Sequence, residues 1–315
     1  MVAVRIVQRP PSPALAPFVR CLWIIEGAGE PGPDERVVPD GCVELLVHWG
    51  EPMRRLQEDG RWGGPQHACL VGQIRSALLL RAAGPVGMIS ARLHPWAVGA
   101  LLGDEATQVT DDSVDLDALW GRDAQLLVER LAEARGDDER FDLLEAALAR
   151  RLARPRHPPE VEAAARLLGR RAGALTMDVL AREVGWGRRR LERHFAREVG
   201  VSPKTLARIE RVQDVVQRLE QATAPVAAAA GAGAGAPDRG AAVGGAAVGR
   251  VAAPGGLAGL ALDAGFADQA HLSRDFRSLV GLPVTGWLRE QHALSDCLTS
   301  GDAATPDIPG PPRAP

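Results

Sequence analysis

The feature that most constrains this chain is that part of it is written twice. Leu180-Ala181-x-x-Val184-Gly185-Trp186, followed by Leu191, Arg193, Phe195 and a closing Gly200, returns as Leu260-Ala261-x-x-Ala264-Gly265-Phe266, followed by Leu272, Arg274, Phe276 and Gly281. The offset is 80 residues up to the first glycine and 81 after it, so the second turn is one residue longer. A spacing kept on both sides of a turn describes one supersecondary unit made twice: two helices joined by a short turn. Ala181 and Ala261 let the second helix of each unit cross closely over the first. Gly185 and Gly265 supply the tight backbone that a three- to four-residue turn requires. Leu191 and Phe195, like Leu272 and Phe276, are four apart and bury one helical face.

The residues between them point outward. In the first copy they are Arg188, Arg189, Glu192, Arg193 and Arg197; in the second, Asp268, Gln269, Ala270, His271, Ser273 and Arg274. The arginine fork matches O6 and N7 of guanine, and Gln pairs similarly with adenine, each such contact contributing about 1–3 kcal/mol of discrimination. Asp268 reads first as a helix N-cap.

Charge is segregated in the same sense. The net charge of the 315 residues is only -3, but residues 102–145 carry fourteen Asp/Glu against four Arg, and residues 187–211 carry eight Arg/Lys against three Glu. Such asymmetry separates a phosphate-facing module from one that does not touch phosphate. A solvated helix face is the plainer explanation of each run taken alone.

The rest of the chain is read around this module. Short apolar runs between Gly and Pro predict strands over Val19–Ile25, Cys42–Trp49, Ala77–Arg81 and Val86–Leu93. Helical periods follow over Ala124–Ala134 and Arg140–Leu152. The prolines of 154–159 mark a boundary. Beyond it, helices are expected over Glu160–Leu168, Val179–Val184, Arg188–Glu198 and Pro203–Leu219, the last capped by Ser202. Of the 34 residues 223–256, 23 are Ala or Gly, which predicts a flexible linker. Its Gly-Ala-Gly stretch lacks the preceding strand and the acidic residue of a dinucleotide loop. The expected division is 1–153, strands then helices (an α+β sensor-like or dimerisation part); 154–222, the first unit and its connecting helix; 223–256, the linker; 257–292, the second unit; and 293–315, a disordered tail. The C-terminal part is all-α.

At this point the C-terminal part resembles the DNA-binding domain of AraC/XylS-type transcription regulators, a likeness carried by Ala264 to Arg277 and by Val184-Gly185-Trp186 through Phe195 and covering roughly residues 160–290. It implies two helix-turn-helix units joined by a long helix, here Pro203–Leu219, each sending a recognition helix into successive major grooves. The DNA-binding residues so implied are Arg188, Arg189, Glu192, Arg193, Arg197 and Lys204 in the first half, and Gln269, Ala270, His271, Ser273 and Arg274 in the second. In that family residues placed like Arg274 also serve inside the domain as salt-bridge partners. The departure is the Ala/Gly insertion, whose roughly 30 extra residues span about 30–35 Å as a flexible chain, against about 34 Å between successive grooves on one face. It permits the docking and is expected to loosen the spacing. Pro39-Asp40-Gly41-Cys42-Val43-Glu44-Leu45, Val71-Gly72-Gln73 and Ala91 to Trp96 are similar to an uncharacterised sensor-like domain found in one subset of these regulators.

Double-stranded DNA is therefore the expected partner, with a small-molecule effector, RNA polymerase or a second copy of the chain beside it. No membrane partner, cofactor or metal is expected, and the cytoplasm is the expected location. Cys21, Cys42, Cys69 and Cys297 form no C-x-x-C pair. His67 with Cys69, or Glu44 with His48, would share a strand face but lack a third ligand. Pro39-Asp40-Gly41 reads first as a turn. Trp23, Trp49, Arg92 and Trp96 are candidates for a pocket lining, or equally for core. The competing reading is a DNA-targeted enzyme or repair-type regulator with a catalytic N-terminal half. The sequence holds no nucleophile elbow, Walker loop or Pro-Cys-His nucleophile to support it, so no enzyme is expected.

Overall fold

The computed structural model describes residues 4–27, 34–102, 105–152, 157–223 and 256–291. Residues 224–255 of the Ala/Gly insertion, residues 153–156 with Pro155, and the C-terminal tail lie outside the described residues. The first half is strands followed by helices. A six-stranded antiparallel sheet has the order β1 (Val4–Arg9), β2 (Val19–Gly27), β8 (Val86–Leu93), β4 (Val43–His48), β6 (Ala68–Val71) and β9 (Ser113–Asp115). A three-stranded sheet has the order β3 (Glu35–Val37), β7 (Leu78–Ala82), β5 (Met53–Arg55).

Period-2 alternation divides the large sheet into two faces. Leu22, Ile24, Val43, Leu45, Val47, Leu70, Ile89, Ala91 and Leu93 are buried in one core with α1 (Ala97–Leu102), α2 (Leu116–Trp120), α3 (Arg122–Glu133) and α4 (Asp137–Arg151). The opposite face carries Trp23, Glu44, His48, Ser90 and Arg92, aligned by the registers Trp23↔Ser90 and Glu44↔Arg92. There the Ser90 hydroxyl donates to Glu44, and Arg92 pairs with Asp40 and, at 3.6 Å, with Glu44. Burial pushes the Glu44 carboxyl up to about 7 and the His48 imidazole down to about 4.

The second half is helical: α5 (Pro159–Arg170), α6 (Met177–Glu183), α7 (Arg188–Val199), α8 (Pro203–Thr223), α9 (Gly256–Asp263), α10 (Gln269–Val280) and a last helix over 284–291. Proline at the first turn of α5 and α8 removes an amide that would have no helical partner anyway. Ser202 caps α8 by accepting from the Thr205 amide at 3.1 Å. Two further cores form around α8. Its start, Leu206 and Ala207, belongs with α5, α6 and α7, including Leu180, Leu191 and Phe195. Its remainder, Ile209 to Leu219, belongs with α9, α10 and the last helix, including Leu260, Phe276 and Trp287.

The insertion expected to loosen the spacing lies outside the described residues; among those described, α8 is buried in both helical units.

The strand-rich half is fastened to both units. Trp96 sits in the first helical core, donates from Nε1 to the Pro17 carbonyl at 3.0 Å, and is stacked on His94. Thr110 donates to the Gly200 carbonyl at the end of α7 at 2.6 Å. Toward the second unit, Arg36 of β3 places Nε 3.0 and 3.1 Å from the two carboxylate oxygens of Glu290, with both side chains nearly inaccessible to solvent. The Pro39–Gly41 turn lies on α8: Gln213 donates to the Pro39 carbonyl at 2.6 Å, and a methyl at Gly41 would run into Leu206. Trp23, Trp49, Arg92 and Trp96 thus line no common pocket. Trp96 is core, and Trp49 lies under the Arg140 guanidinium of α4 at 4.3 Å.

Candidate nucleic-acid interface

The two repeated units have the same backbone in detail. In the first, the amides of Val184, Gly185 and Trp186 donate to Leu180, Arg182 and Ala181 at 3.2, 3.1 and 3.0 Å. In the second, Ala264, Gly265 and Phe266 donate to Leu260, Leu262 and Ala261 at 3.1, 3.0 and 2.9 Å. Gly185 and Gly265 have φ of 72° and 76°, the left-handed region in which a side chain costs about 1–2 kcal/mol. α7 and α10 end alike, on Gly200 and Gly281 in the same region. Phe195 and Phe276 are both fully buried, which fixes the opposite face of each helix outward.

On that outward face of α7, Arg188, Arg189, Arg190, Arg193 and Arg197 are exposed and Glu192 is half-buried. Their environments differ. Arg188 donates to Glu192 at 3.0 Å and lies 3.7 Å from Asp178, which holds its guanidinium above the ordinary value. Arg190, which the sequence reasoning passed over, lies over the Trp186 ring at 4.5 Å. Lys204 is exposed at the start of α8. The C-terminal end of α7 packs against the strand-rich half at Thr110, so the arginines nearest its N-terminus form the open part of the face.

On α10, Gln269, Ala270, Ser273, Arg274 and Arg277 are exposed and His271 is half-buried. Asp268 accepts from the His271 amide at 2.6 Å and is the N-cap expected of it. The His271 ring meets Phe266 edge-on at 5.3 Å and lies 3.6 Å from Asp275, so it faces the inside of the unit as much as the outside. Arg274 is exposed, its Nε 3.3 Å from the Ala270 carbonyl of its own helix. The buried charge of α10 belongs instead to its neighbour Asp275, 8% exposed and 2.9 Å from Arg208 of α8. The helical period places Asp275 on the apolar stripe with Leu272, Phe276 and Leu279, but the residue type alone does not name its partner.

Two faces result, each a helix presented edge-outward on a buried apolar floor. Among the described residues no group of three or more His, Cys, Asp or Glu is placed to hold a metal ion, and no helix is long and apolar enough to cross a membrane.

Residues 7–115 match a family described as a domain of unknown function (DUF6597), which covers about a third of the chain. A search of curated proteins finds no match. Among solved structures, the chain is similar to ToxT from Vibrio cholerae at 9% identity and a TM-score of 0.41, over 92% of this chain and 98% of that one. A ToxT structure from strain SCE256 with a bound unsaturated fatty acid gives 9% identity and 0.39, over 91% and 94%. The AraC-like transcriptional activator CuxR gives 15% identity and 0.29, over 68% and 86%.

Proposed function

We propose that this chain is a sequence-specific DNA-binding transcription regulator of AraC/XylS type, not an enzyme, which reads duplex through α7 and α10 under the control of its strand-rich half. The observation that carries the reading is the duplication itself: two units of one backbone, each burying a Phe and turning an arginine-bearing helix to solvent. Backbone amides, arginines and helix N-termini position such a module on phosphate, and side chains at the N-terminal end of the helix reach base edges. In this reading Arg189, Arg193 and Arg197, which the structure leaves exposed, take guanine edges or phosphate, while Arg188 and Glu192 act as a pair. Gln269, Ala270, Ser273 and Arg274 form the second reading face, with Lys204 on the backbone. Residues 1–153 are the controlling part, acting through Trp96, Thr110 and Arg36. A small-molecule effector, RNA polymerase and a second copy of the chain are the further partners that this reading implies.

The test is Arg193→Ala in the full-length chain. Affinity for a selected duplex falls by about tenfold and preference is lost at one base pair, as expected for a lost bidentate contact. Equal binding to every sequence, before and after the change, contradicts base reading by α7.

A further inference from the structure

The relative placement of α7 and α10 decides whether both can meet one duplex, and the described residues carry a cluster of side chains between the two units. Asp275 lies on the inner side of α10, among Leu272, Phe276 and Leu279, while its neighbours Arg274 and Arg277 face solvent. Arg208 of α8 donates to its Oδ1 twice, from Nε at 3.1 Å and Nη2 at 2.9 Å. Arg211, one turn along α8, approaches Oδ2 at 3.9 Å.

Arg211 also reaches both units at once. Its Nη1 donates to the Gly173 carbonyl in the α5–α6 turn of the first unit at 3.4 Å, and its guanidinium lies 5.4 Å from the ring of Phe266, in the turn of the second. The two turns themselves touch: a methyl at Gly265 would stand 3.3 Å from Ala174. Gly173 in turn approaches α8 so closely that a methyl there would overlap the Ala207 carbonyl. Burial lowers the Arg211 pKa while Asp275 raises it, so the cation depends on its acid.

We propose that Asp275, through Arg208 and Arg211, is the positioning residue that sets the separation at which α7 and α10 engage duplex DNA. The inference rests on the DNA-binding reading above and adds that the operator is two-part with one preferred spacing. An ion pair of this burial adds little net stability, because desolvation offsets the attraction, and its contribution in this proposal is to favour this arrangement of α10 on α8 over ones that leave the charges unpaired. Asp275 touches no base in this arrangement.

The experiment takes the two-part duplex that the full-length chain selects from a random pool and lengthens or shortens the segment between its halves by one to three base pairs. The wild type loses at least about tenfold in affinity at the wrong spacings, the loss expected when the base contacts of one helix disengage. Asp275→Asn and Arg211→Met each bind the first half-site alone as the wild type does and keep the sequence preference of the second half, but their spacing penalty falls below about threefold. A penalty retained in both variants overturns the proposal. So does loss of the second half-site preference in both, which makes the cluster a requirement for folding the unit and not for placing it. A wild type indifferent to spacing overturns this inference alone, whereas a pool with no enriched sequence overturns the DNA-binding reading beneath it.

Discussion

The first and second helical units share a backbone and differ in almost everything they show to solvent. The first presents five exposed arginines on α7, and that helix begins at Gly187, which offers no side-chain cap. The second presents a sparser face of Gln269, Ala270, Ser273, Arg274 and Arg277, opens on the Asp268 cap, and holds a buried acid behind it. Positions that set backbone and packing have been kept in the repeat: the small Ala, the turn glycine, the Leu and Phe of the inner face. Positions that set what is touched have diverged. The comparison teaches that one scaffold carries two unequal outer faces, the first richer in positive charge and the second opened by a side-chain cap.

If the inner faces are equivalent, truncating them should cost the same. Phe195→Ala and Phe276→Ala, both at full burial, should each lower unfolding stability by about 3–5 kcal/mol in denaturant titrations. A loss confined to one of them breaks the equivalence. The turns sharpen it: Gly185→Ala places a methyl in open space and costs only the left-handed strain, about 1–2 kcal/mol, whereas Gly265→Ala adds a contact with Ala174 and should cost more by calorimetry. A smaller effect is expected of the caps. Asp268→Ala should cost about 1 kcal/mol, and Gly187→Ala only a few tenths, because α7 has no side-chain cap to lose.

Much of this was legible in the sequence, for a physical reason. Periodicity reports which face of an element is apolar, so α3 to α8 fall within a few residues of expectation, as do strands β2, β4, β7 and β8. β3, β5, β6 and β9, of three or four residues each, are too short to alternate visibly, and in β1 Arg5 and Arg9 interrupt the apolar run. At the candidate interface, the exposure of Arg188, Arg189, Arg193 and Arg197 and the Asp268 cap follow from spacing, whereas Arg190 was passed over. What had no local signature was long-range pairing. Arg36 meets Glu290 across the chain, Asp275 meets Arg208, and Trp96 leaves its own half to join the first helical core. Each is an ordinary residue type whose partner is set only by the completed fold. The composition of the Ala/Gly insertion likewise says nothing of the contacts that α8 makes with both helical units.

The central claim is that both outward faces contact DNA and that the first contributes more charge to the contact. Selecting bound duplexes from a random pool with the full-length chain, then titrating salt against the recovered duplex, tests it most directly. The account predicts an enriched two-part sequence, and a salt slope that falls by about 0.9 for each of Arg189→Ala and Arg193→Ala that meets phosphate, with a smaller fall for Gln269→Ala. A pool that returns unenriched, or an affinity indifferent both to salt and to the α7 arginines, contradicts it.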